Sequence, residues 1–98
     1  MKFILTIDTE GDNQWDVRAR QQQTFQNIHA LPRLHEFFER HGARPTYLTT
    51  YPVAADPRSA DVLRGVMARG NAEIGAHHHA WETPPCSPKD AVLHRYAL

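Results

Sequence analysis

The first twelve residues, MKFILTIDTEGD, constrain the fold more than any other stretch. A short and nearly unbroken apolar run from Phe3 to Ile7 is typical of a strand that is covered on both faces in a parallel sheet. Acidic residues follow this run at once, at Asp8, Glu10 and Asp12. Because functional groups gather at the carboxyl ends of strands in α/β sheets, the sequence predicts a site at the end of this strand.

A first helix and a second strand are predicted after a long polar connection from Thr9 to Gln23. The helix has Pro32 in its first turn and ends at Gly42. Its apolar residues recur at helical spacing, at Ile28, Leu31, Leu34, Phe37 and Phe38. The second strand is the segment 45–51, PTYLTTY, because β-branched and aromatic side chains predominate there.

A second helix, a weaker strand and the start of a third helix come next. The Asp-Pro pair at 56–57 is typical of a helix start, and Gly70 is placed to end that helix. Its buried face is predicted to hold Leu63, Val66 and Met67. The third strand is Glu73–His77, in which Gly75 would let another backbone or a ligand come close. A capping box at 87–90 predicts the third helix.

The predicted order is strand, helix, strand, helix, strand, helix, within one domain that spans residues 1–98. Right-handed crossovers make the three strands parallel, so Asp8, Thr50 and His77 should lie at one edge of the sheet. A complete barrel of this kind takes about 250 residues. We therefore expect an α/β fold that is the N-terminal part of a larger domain, with open sheet edges through which copies could associate.

Composition excludes several classes of partner. Lysine plus arginine and aspartate plus glutamate number 11 each, so no net charge favours nucleic acid or a membrane surface. No apolar run is long enough for a signal peptide core or for a membrane span. The single cysteine, Cys86, has no partner for an internal disulfide bond. The expected location is the cytoplasm.

Two pairs of residues at the predicted strand ends could carry chemistry. Asp8 and Glu10 are two apart, and in extended backbone their side chains point to the same side, as do those of His77 and His79. Two imidazoles and one carboxylate, with one position left for water, are typical of hydrolytic zinc sites. The second acid is then free to act as a base.

Simpler interpretations were weighed against this one. A triple histidine can be the remnant of an affinity tag, but the run at 77–79 lies inside the chain. Cys86 as a nucleophile would need a base beside it, and two preceding prolines indicate a rigid turn instead. The remaining histidines are expected to face solvent or to lie at helix ends, and they are His29, His35, His41 and His94.

Two tryptophans lie in loops that are predicted to overhang the site. Trp15 and Trp81 could bind a substrate by stacking on the face of a sugar. The alternative is that each ring only caps the edge of the fold.

The motifs together resemble those of a known family. LTIDTEGD at the first strand end, the PTYL strand and EIGAHHHAWETPP after the second helix resemble the polysaccharide deacetylases with the NodB homology domain, carbohydrate esterase family 4. The most similar branch has a second motif that reads His-x-His-x-Trp-x-Thr-Pro-Pro. The match runs from Ile4 to Pro85 and covers the front part of the family's domain.

The resemblance implies a fold, a reaction and a set of roles. The fold is a distorted (β/α) barrel, of which this chain would be the N-terminal strand-helix units. The reaction removes acetyl groups from N-acetylated sugars or polysaccharides and uses one divalent metal ion, commonly zinc. By the same resemblance Asp8 is the catalytic base, Glu10 is the acidic metal ligand, and His77 and His79 are the imidazole ligands.

The sequence departs from the commonest family pattern at several points. Thr9 stands where a second aspartate is usual, which moves the ligand role to Glu10. The commonest second motif spaces its histidines four apart, and Trp81 occupies that position here, so His79 is the better second ligand and His78 is the alternative. The family's later motifs, which carry the general-acid histidine, are absent from the 98 residues.

Two other interpretations stay open. One is an amidohydrolase-like metal hydrolase, whose His-x-His pair belongs to its first strand. The other is a catalytically inactive truncated fragment.

Overall fold

The computed structural model describes residues 1–85, a mixed α/β arrangement of three strands and four α-helices. The predicted third helix, together with Cys86 and His94, lies outside the described residues. The elements in chain order are β1 (Leu5–Thr9), a short 3-10 helix (Ala19–Gln21), α1 (Gln26–His29), α2 (Leu31–Arg40), β2 (Pro45–Thr50), α3 (Tyr51–Ala55), α4 (Pro57–Ala68) and β3 (Glu73–His77).

The three strands form a parallel sheet, as predicted, and their order is β1, β2, β3. The register pairs Asp8 with Leu48 and Thr50 with His77. The carboxyl ends of all three strands therefore lie at one edge of the sheet. Within residues 1–85, none of the helices combines the length and the apolar character that a membrane span needs.

The strand β1 corrects one prediction, because it is not covered on both faces. Phe3 and Ile4 precede the strand and are 80% and 83% exposed. Within the strand, Ile7 packs against the hydrophobic core, whereas Asp8 is exposed. The reason is that β1 is the first strand of the sheet order, and the side chains of a strand alternate between a packed face and an open face.

The first predicted helix is two helices, and the apolar residues at helical spacing are only partly buried. Ile28 and Leu31 are in the core, whereas Leu34 and Phe37 are 41% and 49% exposed. The imidazole of His35 is fully buried, which corrects the prediction that it faces solvent. Its Nδ1 atom lies 2.9 Å from the hydroxyl oxygen of Tyr47, which is also buried. A polar ring can occupy a core position because it has this hydrogen-bonding partner.

The helix α4 begins and ends as predicted. The Asp56 carboxylate accepts a hydrogen bond of 2.8 Å from the Ser59 amide, and the chain leaves the helix through Gly70, whose φ is +83°. Leu63 and Val66 are buried. Met67 is 45% exposed, contrary to prediction, because one residue advances about 100° around a helix and carries Met67 past the packed face.

The strand β3 spans the predicted residues, and the structure shows what Gly75 is close to. A Cβ atom at that position would lie 2.9 Å from Cδ2 of Leu48 on β2. The close neighbour within the chain is therefore a side chain of the adjacent strand and not another backbone.

Candidate metal centre

The strand order decides which residues can meet at the carboxyl edge of the sheet. Because β2 lies between them, β1 and β3 are about 9 to 10 Å apart, which is two strand spacings. Side chains that meet across this gap come from the last residues of the strands, as His77 of β3 does, or from just beyond the strand ends. Glu10 is the first residue after β1, and His79 is the second residue after β3. Both extend past the end of β2.

Glu10, His77 and His79 each place one potential ligand atom within 4.8 Å of the others. The Nε2 atoms of the two histidines are 3.1 Å apart. The Oε1 atom of Glu10 lies 3.9 Å from Nε2 of His79 and 3.4 Å from Nδ1 of His77. Two nitrogens bound to one tetrahedral zinc ion lie about 3.3 Å apart, so the spacing of the two imidazoles is close to what such an ion requires.

Asp8 lies beside this cluster and is more open to solvent. Its Oδ1 atom is 3.8 Å from Nδ1 of His77, and its side chain is 65% exposed, compared with 19% for Glu10 and 12% for His79. The other candidate for the second ligand, His78, is exposed and is not among the three clustered residues. The structure thus brings together the three residues that the sequence proposed as ligands. Asp8 lies next to them but differs in being largely exposed to solvent.

The two tryptophans differ in position. The indole of Trp81 stacks on the His79 imidazole, with ring centres 4.4 Å apart and planes at 33°. The guanidinium of Arg20 also lies over the Trp81 ring, 5.3 Å from its centre. Trp15 is 82% exposed and lines an open surface concavity with Asp16 and Val17. Among the aromatic contacts of the described residues, none joins Trp15 to the histidines.

The sequence did not identify two residues that lie behind His79. The Oε1 atom of Glu82 is 2.9 Å from Nδ1 of His79, and the Glu82 side chain is only 6% exposed. Its other oxygen, Oε2, accepts a hydrogen bond of 3.1 Å from the Gln23 amide group. The sequence shows that Glu82 is three residues after His79, but the side chain of Glu82 meets the His79 ring only because of the turn that the chain makes there.

A second group that the sequence missed fixes the loop that carries Gln23. The carboxylate of Asp12 accepts hydrogen bonds from the Thr24 hydroxyl and from the amides of Gln26 and Asn27, at 2.8 to 3.0 Å. The Asn27 side chain in turn donates to the carbonyl oxygen of Glu10, at 2.9 Å. Partial burial would raise the pKa of Asp12, but the bonds from Asn27, Thr24 and Gln26 outweigh it and lower the pKa below its usual value.

Several polar atoms in the cluster are buried without a hydrogen bond. They include Nδ1 of His77, Nδ1 of His79 and Nε1 of Trp81. The Nδ1 atom of His79 is close to Glu82, yet the two groups are not aligned as a hydrogen bond. Of these, Nδ1 of His77 lies 3.4 Å from Oε1 of Glu10 and can serve as a ligand atom. The indole N–H of Trp81 can only donate, and Nδ1 of His79 lies on the side of Glu82.

Comparisons of the chain with protein-family models, with curated proteins and with solved structures gave no match. The functional argument therefore rests on the geometry and the chemistry of the site.

Proposed function

We propose that this chain is the metal-binding part of a hydrolase that resembles the polysaccharide deacetylases and removes acetyl groups from N-acetylated sugars. The observation that carries the proposal is the convergence of Glu10, His77 and His79 from two strands that are not neighbours. Two imidazoles and one carboxylate are a donor set found in catalytic zinc sites, and they leave one position for water or substrate.

The residues present fit a divalent cation in a second respect. Nδ1 of His77 is buried without a hydrogen bond and lies 3.4 Å from Oε1 of Glu10, and the Nε2 atoms of His77 and His79 face each other at 3.1 Å. A divalent cation held by these three side chains would stabilise their close approach. We propose zinc as the ion.

The roles in catalysis follow from exposure and position. A bound divalent cation would polarise the acetyl carbonyl group and lower the pKa of water to about 7. Asp8 is beside His77 but open to solvent, so its carboxylate can accept a proton from an attacking water. The water oxygen bonds to the acetyl carbon, and the bond from that carbon to nitrogen breaks as the nitrogen takes up the proton that the water gave to Asp8, so that acetate and a free amine leave.

Trp81 is proposed as a sugar-binding surface next to the reacting group. Its ring already packs on His79 and under Arg20, so its position relative to the centre is fixed. Trp15 is proposed as a second, more mobile contact, because its ring is largely exposed and free to meet a sugar face.

The fold supports a further proposal. We place the parallel sheet as the first strands of a distorted (β/α) barrel, with β1 and β3 as the strands to which others would be added. The amidohydrolase-like alternative is less favoured, because its histidine pair belongs to the first strand and the pair here follows β3.

Two substitutions test the assignment of roles. Glu10→Gln should weaken zinc or cobalt binding, because a neutral amide replaces a charged ligand oxygen. Asp8→Asn should keep the metal and lower the rate of acetate release from an N-acetylated sugar oligomer by about 10²- to 10⁴-fold. Glu73→Gln is the control, because Glu73 is an exposed carboxylate at the opposite end of β3.

The outcomes separate the possibilities. If the unsubstituted chain bound no divalent metal, the proposal would be wrong. If Asp8→Asn lost the metal and Glu10→Gln kept it, the two roles would be exchanged. Metal binding without acetate release would contradict the catalytic proposal for this chain and support the inactive-fragment alternative.

A further inference from the structure

We infer that Glu82 is a positioning residue that holds His79 with Nδ1 turned toward itself and Nε2 turned toward the metal centre. The inference rests on the proposed function, since it assumes that His79 is a ligand. The observation behind it is that a nearly buried carboxylate oxygen, Oε1 of Glu82, lies 2.9 Å from Nδ1 of His79.

The backbone fixes the distance between the two side chains. The amides of Glu82 and Thr83 both donate to the carbonyl oxygen of His79, at 3.2 and 3.0 Å. This turn brings the residue at i+3 back beside the ring. Trp81 packs on the face of the imidazole, with 4.4 Å between the ring centres, while Glu82 is at its edge. The ring is therefore confined from two directions.

The Glu82 carboxylate is itself held in place from the other side. Its Oε2 atom accepts a hydrogen bond from the Gln23 amide group, which leaves Oε1 for the imidazole. The side chain is 6% exposed, and a carboxylate at such a depth is costly unless its oxygens are paired. Gln23 satisfies one oxygen, and His79 is the polar group placed to satisfy the other.

The contact with Glu82 favours the form of the His79 ring that carries its proton on Nδ1. A neutral ring carries one N–H, and an N–H on Nδ1 that donates to Glu82 leaves the lone pair on Nε2. The Nε2 atom is the one that faces His77 and lies 3.9 Å from Glu10. Nδ1 of His79 and Oε1 of Glu82 are at hydrogen-bond distance, and the proposal requires the ring to turn until its N–H is aligned with that oxygen.

Glu82 is a positioning residue and not a fourth ligand. It lies on the Nδ1 edge of the His79 ring, whereas Glu10 and His77 lie on the Nε2 edge. An ion held among Glu10, His77 and His79 would therefore be separated from Glu82 by the imidazole.

The test measures zinc affinity by competition with a chelator and the position of the His79 proton by nitrogen-15 NMR of the metal-free chain at one neutral pH. Glu82→Ala should raise the zinc dissociation constant by about 10- to 100-fold, the usual effect of losing such a partner. Glu82→Gln should have a smaller effect, because its carbonyl oxygen can still accept from Nδ1–H. Glu73→Gln should leave affinity unchanged.

In the unsubstituted chain the His79 proton should be on Nδ1, and in Glu82→Ala it should move toward Nε2. A proton on Nε2 in the unsubstituted chain, or unchanged zinc affinity in Glu82→Ala, would overturn the inference. The NMR measurement on the unsubstituted chain stays decisive even if Glu82→Ala does not fold.

Failure of this inference and failure of the proposed function give different results. If the chain binds no divalent metal, the metal centre is wrong, while the proton on Nδ1 would still establish the contact of His79 with Glu82. If Glu10→Gln weakens zinc binding and Glu82→Ala does not, the metal centre stands and only the role of Glu82 is wrong.

Discussion

Replacing Asp12 by alanine tests whether the polar loop is tied down as the structure shows. The Asp12 carboxylate accepts three hydrogen bonds, from the Thr24 hydroxyl and from the amides of Gln26 and Asn27. The two amides belong to the first turn of α1, which has no other side-chain cap. Asp12 therefore acts as the cap of this helix, although it lies 14 residues earlier than Gln26.

The expected loss of stability in Asp12→Ala follows from this capping role. Loss of a side-chain cap usually costs about 0.5 to 2 kcal/mol of stability. Water can reach the Thr24 hydroxyl and the two amides and replace part of their hydrogen bonding, but all three hydrogen bonds to Asp12 are lost together. We expect Asp12→Ala to lower the free energy of unfolding by about 1 to 2 kcal/mol, which in a chain of this size lowers the melting temperature by roughly 4 to 16 °C.

The assay is urea unfolding followed by circular dichroism, with Asp61→Ala as the control. Asp61 is also a carboxylate with a hydrogen-bonded partner, Arg64, but both side chains are more than 70% exposed. Its removal should change little. Equal stability of Asp12→Ala and Asp61→Ala would refute the capping role.

The pH dependence gives the same prediction an independent check. The pKa of Asp12 in the folded chain is lowered from 3.8. A lowered pKa means that the stabilisation is present above 3.8 and is lost as the pH falls through the folded value. The difference in stability between the unsubstituted chain and Asp12→Ala should therefore be constant near neutral pH and shrink in acid. A difference that grew in acid would contradict the argument.

Three further predictions concern the core and the second helix cap. Tyr47→Phe should cost about 1 to 3 kcal/mol, measured by urea unfolding, because it leaves Nδ1 of the buried His35 without its partner. Burial, with the nearby charge of Glu39, raises the pKa of Tyr47 to about 12. The free energy of unfolding should therefore fall as the pH rises from 10 through 12, and ultraviolet absorption of the phenolate should appear in that range. Asp56→Ala should lower the melting temperature and remove a stabilisation that disappears in acid, because the Ser59 hydrogen bonds lower the pKa of Asp56.

The parts of the fold that the sequence predicted depend on neighbours in the chain. The start of α4 at Asp56, its end at Gly70 and the bounds of β3 follow from residues within one turn or one strand. The parallel order of the strands followed from the handedness of crossovers, which does not depend on particular side chains. Local signals of this kind need no knowledge of what packs against them.

The predictions that were wrong depend on partners far away in the chain. His35 is buried because Tyr47, on the next strand, offers a hydroxyl group to its ring. Leu34 has the same helical spacing as the buried Ile28 and Leu31 but is 41% exposed, because spacing alone does not say which of several apolar faces meets the sheet. The roles of Asp12 and Glu82 were missed for the same reason, since the contact of Gln23 with Glu82 joins residues 59 positions apart.

The structure shows how the long polar loop is connected to the proposed metal centre. At one end, Asp12 orders the segment that begins α1, and Asn27 of that segment holds the carbonyl oxygen of Glu10. At the other end, Gln23 holds Glu82, which lies against His79. The loop thus supports one proposed ligand from each of two strands that do not touch. Because the strands alone leave these ligands about 9 to 10 Å apart at their bases, the geometry of the proposed centre depends on the loop as much as on the sheet.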